Sequence, residues 1–510
     1  MKKIALFVSV VVLLLATACS SVNESLEKMI PADATGVVSI DVPAILKKAQ
    51  MLDDGRVVLP ADLTAVLDEN DAAPLCQAIT DLPVMGINAD GKAFAFFSEG
   101  TFSAALLVPI ADEQAALKTL TTRVGKDFEQ AEGMSCMAHG DHFFVIHQGV
   151  LMAARVGKPA EMAKLAKSAR VMYDRKARSI LDVDQAKSHI EGDGDINGWF
   201  QLKGVKRMLD HSSTYRQLVQ RMPLVEIFTE SDIEAVTCRV NLNENDAQMV
   251  TQFLVADGSD YMRLMNATIA KPDAAVLNVI PGSMEYVVSM SVKGDQLVQL
   301  PQIEQLLNAF GKLPYIGRID LKGMLSTIDG PVAVSMAPDP YLQGDWNAVV
   351  AAHSSCPDDV VRTISTFAQA LGQAPEMYDG EYVYQYENKM IKVGVRDGVV
   401  YFKMLNYDEQ NEHSVGDDEA LKQLFGSAPV ALTVKSTTAQ GDARFAYGLT
   451  DHVNGQGTFV PAAGEKSATL ALLKVLCAIR PAAAYDDMIE PTDDTADDYL
   501  PSGVTLQPVR

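Results

Sequence analysis

With six cysteines, two tryptophans and eight histidines in 510 residues, the chain holds little material for several kinds of chemistry. No Cys-x-x-Cys spacing occurs. The cysteines after Cys19 (Cys76, Cys136, Cys238, Cys356 and Cys477) are odd in number, which argues against a disulfide framework. They are expected as small buried apolar thiols, with room for one bridge. Gly-x-Ser-x-Gly, the P-loop and His-Glu-x-x-His are all missing, so no motif specifies a reaction or a cofactor, and none is expected. No apolar run after residue 15 is long enough to cross a membrane. Basic charge is short too: 43 Lys and Arg against 66 Asp and Glu leave a net charge of -23, which repels phosphate backbones and argues against a nucleic-acid partner. What remains, 48% hydrophobic and 21% charged, is the composition of a folded protein long enough for two large domains.

The amino end is the most specific stretch. Lys2 and Lys3 precede an apolar run from Ile4 to Leu15 broken only by Ser9, and Ala16-Thr17-Ala18-Cys19 follows. Positive end, short apolar segment and small residue before cysteine together read as a lipoprotein signal at 1–18. Cys19 is then the lipidated residue, residues 19–29 a linker, and the membrane a partner reached through acyl chains.

An internal repeat sets the expected architecture. Ile30-Pro31-Ala32-Asp33-Ala34-Thr35-Gly36-Val37-Val38-Ser39 is echoed, 250 residues on, by Ile280-Pro281-Gly282-Ser283-Met284-Glu285-Tyr286-Val287-Val288-Ser289. In each case a proline turn feeds a strand, then a helix near Ala44–Leu52 or Leu300–Phe310. Asp90-Gly91 and Asp329-Gly330 read as tight turns before apolar strands, and Asp112–Val124 and Pro357–Leu371 read as helices. Hairpins follow, through Gln148-Gly149 and Asp397-Gly398. Two homologous α+β domains are therefore expected, 30–270 and 276–480, each a mainly antiparallel sheet with helices packed on one face. Helices at Val205–Met222 and Ala463–Ile479 would pack on or bridge the sheets. Residues 481–510, acidic and proline-containing, read as a disordered tail.

This signal, the opening IPADATGVVSIDVPAILKKA, its echo at Ile280 and the overall length resemble a family of uncharacterised lipoproteins of about 500 residues from Bacteroides and its relatives. The resemblance implies an outer-membrane lipid anchor and no assigned activity. Surface-exported members of that group carry acids directly after the lipidated cysteine. Ser20-Ser21-Val22-Asn23 stands there instead, which favours the periplasmic face. Asp494-Thr495-Ala496 matches the short O-glycosylation motif of the same group, at Thr495.

Candidate chemistry is sparse. Cys136, His139, His142 and His147 are metal-like side chains, but His142 and His147 fall an odd number apart on one expected strand and so face opposite sides. Asp193-x-Asp195-x-Asn197-Gly198 copies the first half of a calcium loop without its closing acid, leaving Asp193, Asp195 and Asn197 as weak ligands. His353 stands beside Ser354, Ser355 and Cys356 at a strand end, where neighbours point apart. The second half alone has a stiff loop at Ala337–Asp345 with two prolines, and Tyr341 and Trp346 are its candidate partner contacts. The reading is a non-enzymatic binding or structural module for an unknown protein or glycan. The alternatives are an envelope or glycan hydrolase whose carboxylates spacing does not reveal, and an accessory glycan-binding lipoprotein.

Overall fold

The computed structural model describes residues 26–478, apart from 55, 70–73, 89–90, 158–159, 176–177, 210–231, 311–319, 340–344, 371–375, 379, 387–388, 407–412, 439–440 and 466. The expected signal, lipidation site, tail and most of Val205–Met222 lie outside the described residues.

The strands of the first half are β1 (Ala34–Asp41), a small hairpin β2 (Leu52–Asp53) and β3 (Arg56–Val57), β4 (Lys92–Ser98), β5 (Phe102–Pro109), β6 (Glu129–Ala131), β7 (Met134–His139), β8 (His142–His147), β9 (Val150–Val156), β10 (Ile196–Gln201), β11 (Ile233–Leu242) and β12 (Ala247–Val255). Those of the second half are β13 (Tyr286–Lys293), β14 (Ile328–Pro338), β15 (Trp346–Ser354), β16 (Glu376–Tyr378), β17 (Glu381–Tyr386), β18 (Lys389–Arg396), β19 (Val399–Leu405), β20 (Val430–Thr438), β21 (Gly441–Leu449) and β22 (Asn454–Val460). The class is α+β.

In the first half β1 leads one way through β4, β5, β9, β8 and β7 to β6, and the other way through β10 and β11 to β12. In the second half β13 leads through β14, β15, β19, β18 and β17 to β16, and through β20 and β21 to β22. The two last strands then pair with each other, antiparallel, from Ala247↔Phe459 to Gln252↔Asn454. The two expected sheets are thus joined into one antiparallel sheet of 20 strands among the described residues.

Local chemistry explains the ends of several elements. Asp41 closes β1 and caps the helix Val42–Lys48, its Oδ1 accepting from Ala44 N at 3.1 Å. Asp112 does the same for Glu113–Val124, and Gly125, at φ 70, ends that helix in the left-handed conformation a glycine adopts at little cost. Gln148-Gly149 and Asp397-Gly398 both turn their hairpins with positive φ at the two central residues. Asp329-Gly330 differs from expectation. It lies inside β14 at a register shift, so it is a bulge and not a tight turn.

Helix cover corrects the expectation of one packed face. In the first half both faces are covered. Val37 and Trp199 join a core capped by the helices Met162–Tyr173 and Asp184–Ile190. Ile40, Ala95 and Leu106 on the other face lie in a core with the helices Val42–Lys48, Ala61–Glu69 and Pro74–Asp81. The second half keeps one broad core, with Leu421 and Phe425 of the helix Glu419–Ser427 against Val287, Ala333 and Val349. Its other face is covered in two separate places.

Helices also cross between halves. Tyr261, Met265 and Ile269, at the helix Asp260–Thr268, pack with Val430, Leu449 and Met290 of the second half, and Tyr261 OH donates to His452 O at 2.6 Å. Conversely Leu470, Leu473 and Cys477 of Ala468–Ala478 pack with Ile45, Leu63 and Cys76 of the first half. Lys474 Nζ lies 2.8 Å from both Asp62 and Glu465. Removing Leu473 side-chain volume as Leu473→Ala is expected to cost about 2–5 kcal/mol. It should also speed amide exchange in Ala61–Glu69, some 400 residues away. Exchange that changes only within the last helix would contradict this packing.

Candidate functional site: an exposed apolar sheet face

Val288, Val334 and Val350 are directly paired neighbours on β13, β14 and β15, so their side chains stand in one row on one face. Tyr286 and Met336 form the next rank, and Trp346 opens β15 beside them. All six are between 38% and 52% exposed. Onward, the row reaches Phe402, which lies half-buried in the cluster formed with Val360, Val361 and Ile364 of the helix Pro357–Ala370.

The same ladder positions in the first half hold Val38, Ala95 and Leu106. There they belong to the core under the helices Val42–Lys48 to Pro74–Asp81 and Ala468–Ala478. Gly36 and Phe200 stand in the first half where Tyr286 and Val434 stand in the second. A Cβ on Gly36 would come within 2.7 Å of the Phe200 ring, so the first half fills this space from the neighbouring strand. The second half presents Tyr286 outward instead.

Trp346 is held by a clamp at the strand entrance. Buried Lys389 donates to Trp346 O and reaches Asp345 Oδ1 at 3.0 Å. Asp345 Oδ1 in turn accepts from Trp346 N at 2.8 Å, and Asp339 N donates to Asp345 O at 2.9 Å. The Lys389 ammonium, then the Trp346 N–H, hold the Asp345 carboxyl below its usual range. The Trp346 and Tyr286 rings lie 6.2 Å apart, tilted by 54°.

Other expected site residues are placed as follows. Tyr341 and Thr495 lie outside the described residues. Asp195 is buried and spent on Lys48 Nζ and Leu242 N, at 2.7 and 2.5 Å. Asp193 faces Arg239 at 3.0 Å, and Asn197 Nδ2 donates to Gly192 and Gly194 carbonyls, so the three do not converge. Cys136 is buried, which pushes its thiol up to about 11, while His147 is 3.2 Å from Arg170 Nη1. No group of three His, Cys, Asp or Glu able to hold a metal occurs among the described residues. His353 Nδ1 pairs with Asp329 O at 2.9 Å, whereas Ser354 and Ser355 turn to Thr327 and not to the imidazole. The five cysteines beyond Cys19 are free thiols.

Strand alternation in the sequence does not distinguish this exposed row from the buried positions of the first half. Asp41 and Lys92 are separated by fifty residues, which fold into three helices, a short hairpin and a 3₁₀ turn. Lys293 and Ile328 are separated by thirty-four, among which lie the helices Gly294–Leu297, Pro301–Phe310 and Leu321–Ser326.

No family model and no curated protein matches the chain. Among solved structures it is similar to TP0453 in crystal form III, at 10% identity over 49% of this chain and 88% of that one, with a TM-score of 0.31. Crystal form I of TP0453 gives 7% identity over 48% and 85%, with a TM-score of 0.29. The DNA polymerase III subunit beta from Pseudomonas aeruginosa gives 9% identity over 83% and 99%, with a TM-score of 0.11. At these scores the likenesses carry no argument. Fold and site define an α+β protein with an exposed apolar sheet face.

The site has an optical handle. Trp199 is 1% exposed and Trp346 38%, so acrylamide quenching should resolve a protected and an accessible tryptophan, with Trp346→Phe abolishing the accessible one. Two equally protected tryptophans would contradict the geometry. The folded Asp345 carboxyl titrates below its ordinary value, so the clamp is present at neutral pH and is lost only as pH falls through that lowered value. Trp346 emission should therefore stay constant from neutrality to about 4 and shift below it. Lys389→Met should show the shifted emission already at neutral pH.

Proposed function

We propose that the chain is a non-enzymatic binding module of the cell envelope, tethered by lipid at Cys19 and facing the periplasm from the outer membrane. The apolar row of Val288, Val334 and Val350 with Tyr286, Met336 and Trp346 is the observation that carries the binding role. The occupant is a protein with its own apolar surface. A glycan site would need flat aromatic platforms among hydrogen-bonding groups, whereas this row is mainly aliphatic. The signal at 1–18 and the resemblance to uncharacterised Bacteroides lipoproteins support the location.

The module consists of two homologous units, 30–270 and 276–480. Their identical pairing order supports common descent, and so does a detail away from the strands. Ser179 and Ser414 each open a 3₁₀ turn with a capping box, closed by Asp182 and Asp417. Pro31 bridges Ser179 as Pro281 bridges Ser414. In this reading the second unit gave up helical cover over its apolar row and gained an interface.

The test uses the full chain in its native envelope, with a benzophenone side chain replacing Val350. Irradiation is expected to give a discrete protein adduct that Val334→Lys reduces at least tenfold. Val334→Lys, at an exposed position, should change stability by no more than about 0.5 kcal/mol. No adduct, or one indifferent to Val334→Lys, refutes the interface. A protein that stays membrane-bound as Cys19→Ala refutes the anchor.

A further inference from the structure

The helix that the second half sends across brings two cysteines together. Cys76 lies on the helix Pro74–Asp81 of the first half, and Cys477 lies in the last turn of Ala468–Ala478. They are 401 residues apart in sequence, yet Cys76 Sγ donates to Cys477 O at 3.7 Å. Both belong to one core with Leu67, Ile79 and Leu473, and they are 0% and 1% exposed. Burial, then the Cys76 sulfur beside it, pushes the Cys477 thiol well up. Burial also pushes Cys76 up, against the hydrogen bond that its side chain shares with Cys477. The two sulfurs are thus within reach of each other.

The remaining cysteines stand elsewhere in the fold. Cys136 belongs to the core on the opposite face, Cys238 lies between Gly198 and Thr251 in the sheet, and Cys356 is exposed ahead of the helix Pro357–Ala370.

The helix that carries Cys477 has reason to be fastened. Its eleven residues include one charged side chain, Lys474, so undocking would expose an almost wholly apolar surface and uncover Leu63 and Leu67 beneath it. Ser467 holds the near end, its Oγ donating to Lys48 O at 2.5 Å, and Lys474 holds the middle through Asp62 and Glu465. Cys477 stands at the far end. A covalent link from there to Cys76 closes a loop of some 400 residues, and the restriction it places on the unfolded chain grows with loop length.

We infer that Cys76 and Cys477 form a disulfide that locks the helix Ala468–Ala478 onto the first half. Two S–H bonds break and one S–S bond forms. The two electrons and two protons pass to a disulfide oxidant, protein-borne or glutathione, whose own S–S bond becomes two thiols. Thiolate is the attacking species, and burial disfavours it, so exchange takes place before the helix docks and the finished bridge is then shielded. The oxidant is the one part that rests on the envelope location proposed above, because exported chains meet disulfide donors whereas cytosolic ones meet reductants.

Peptide mapping of the full chain tests it in two settings. In the first, the chain is taken from its native envelope in detergent with free thiols alkylated at lysis, and a peptide linking Cys76 to Cys477 is expected in most molecules. In the second, the chain is reduced in denaturant and refolded in a glutathione redox buffer. The same link should form and raise the unfolding temperature by about 5 °C over the chain refolded with reductant. The double variant Cys76→Ala with Cys477→Ala should melt alike in both buffers, and the comparison of the parent's own two states stands even where that variant fails to fold. No link in the redox buffer, or one that engages Cys136, Cys238 or Cys356 instead, overturns the inference. Free thiols at Cys76 and Cys477 in membrane-bound chain overturn it too and leave the anchor intact. A link that forms in the buffer, from a chain found in the cytoplasm, upholds the pairing and refutes the envelope location.

Discussion

The ladder between β12 and β22 is the constraint on which the rest of the structure depends. Ala247 to Gln252 and Asn454 to Phe459 supply it, and without it each half would end in an open strand edge. With it, the first half's last strand is closed by a strand some 200 residues away in sequence. The pairing is antiparallel, which sets the halves in mutually reversed orientation about their shared seam. That reversal explains why each half sends the helix after its last strand across: Asp260–Thr268 to the second, Ala468–Ala478 to the first. Seam and exchanged helices bury apolar surface together, so neither exchange is an isolated decoration.

Against this shared frame the exposed apolar row and a cavity on the opposite face are departures from equivalence. The first half is covered on both faces, and its ladder positions are small or aliphatic where helices lie over them, as at Ala95 and Leu106. Two connections are shorter in the second half than in the first, one on each face. On one face an apolar row is exposed, with Trp346 fixed by Lys389 and Asp345. On the other lies the cavity, lined by Glu381, Lys392, Tyr401 and Lys403, at ladder positions that are buried and apolar in the first half. The first half thus serves as the filled counterpart of the second. The same two positions in the fold are sealed in one unit and open in the other.

Much of this order was legible in the sequence because strand alternation, Asp caps and Gly-containing hairpin turns are local signals. The match between Ile30–Val42 and Ile280–Val292 located β1 and β13, and Asp397-Gly398 located a hairpin. The helices Glu113–Val124 and Pro357–Ala370 begin within a residue of where Asp112 and Pro357 placed them. Asp329-Gly330 misled because the same dipeptide serves a bulge as readily as a turn. Pairing between β12 and β22 has no local signature, since partners so far apart are chosen by twist and burial. Trp346 stands out in the sequence for its loop, whereas its place in the exposed row follows from the pairing of β13, β14 and β15. Lys392 and Lys403 drew no notice, because their opposition exists only once β18 and β19 pair.

The joining of the halves is tested most directly by a disulfide across the seam. Gln248→Cys combined with Thr458→Cys places two thiols on paired residues of β12 and β22. Mild oxidation of the full chain, followed by peptide mapping, is expected to give an intramolecular link between positions 248 and 458 in most molecules. A link confined to pairs of separate chains, or none at all, would contradict the continuous sheet and with it the reciprocal exchange of helices.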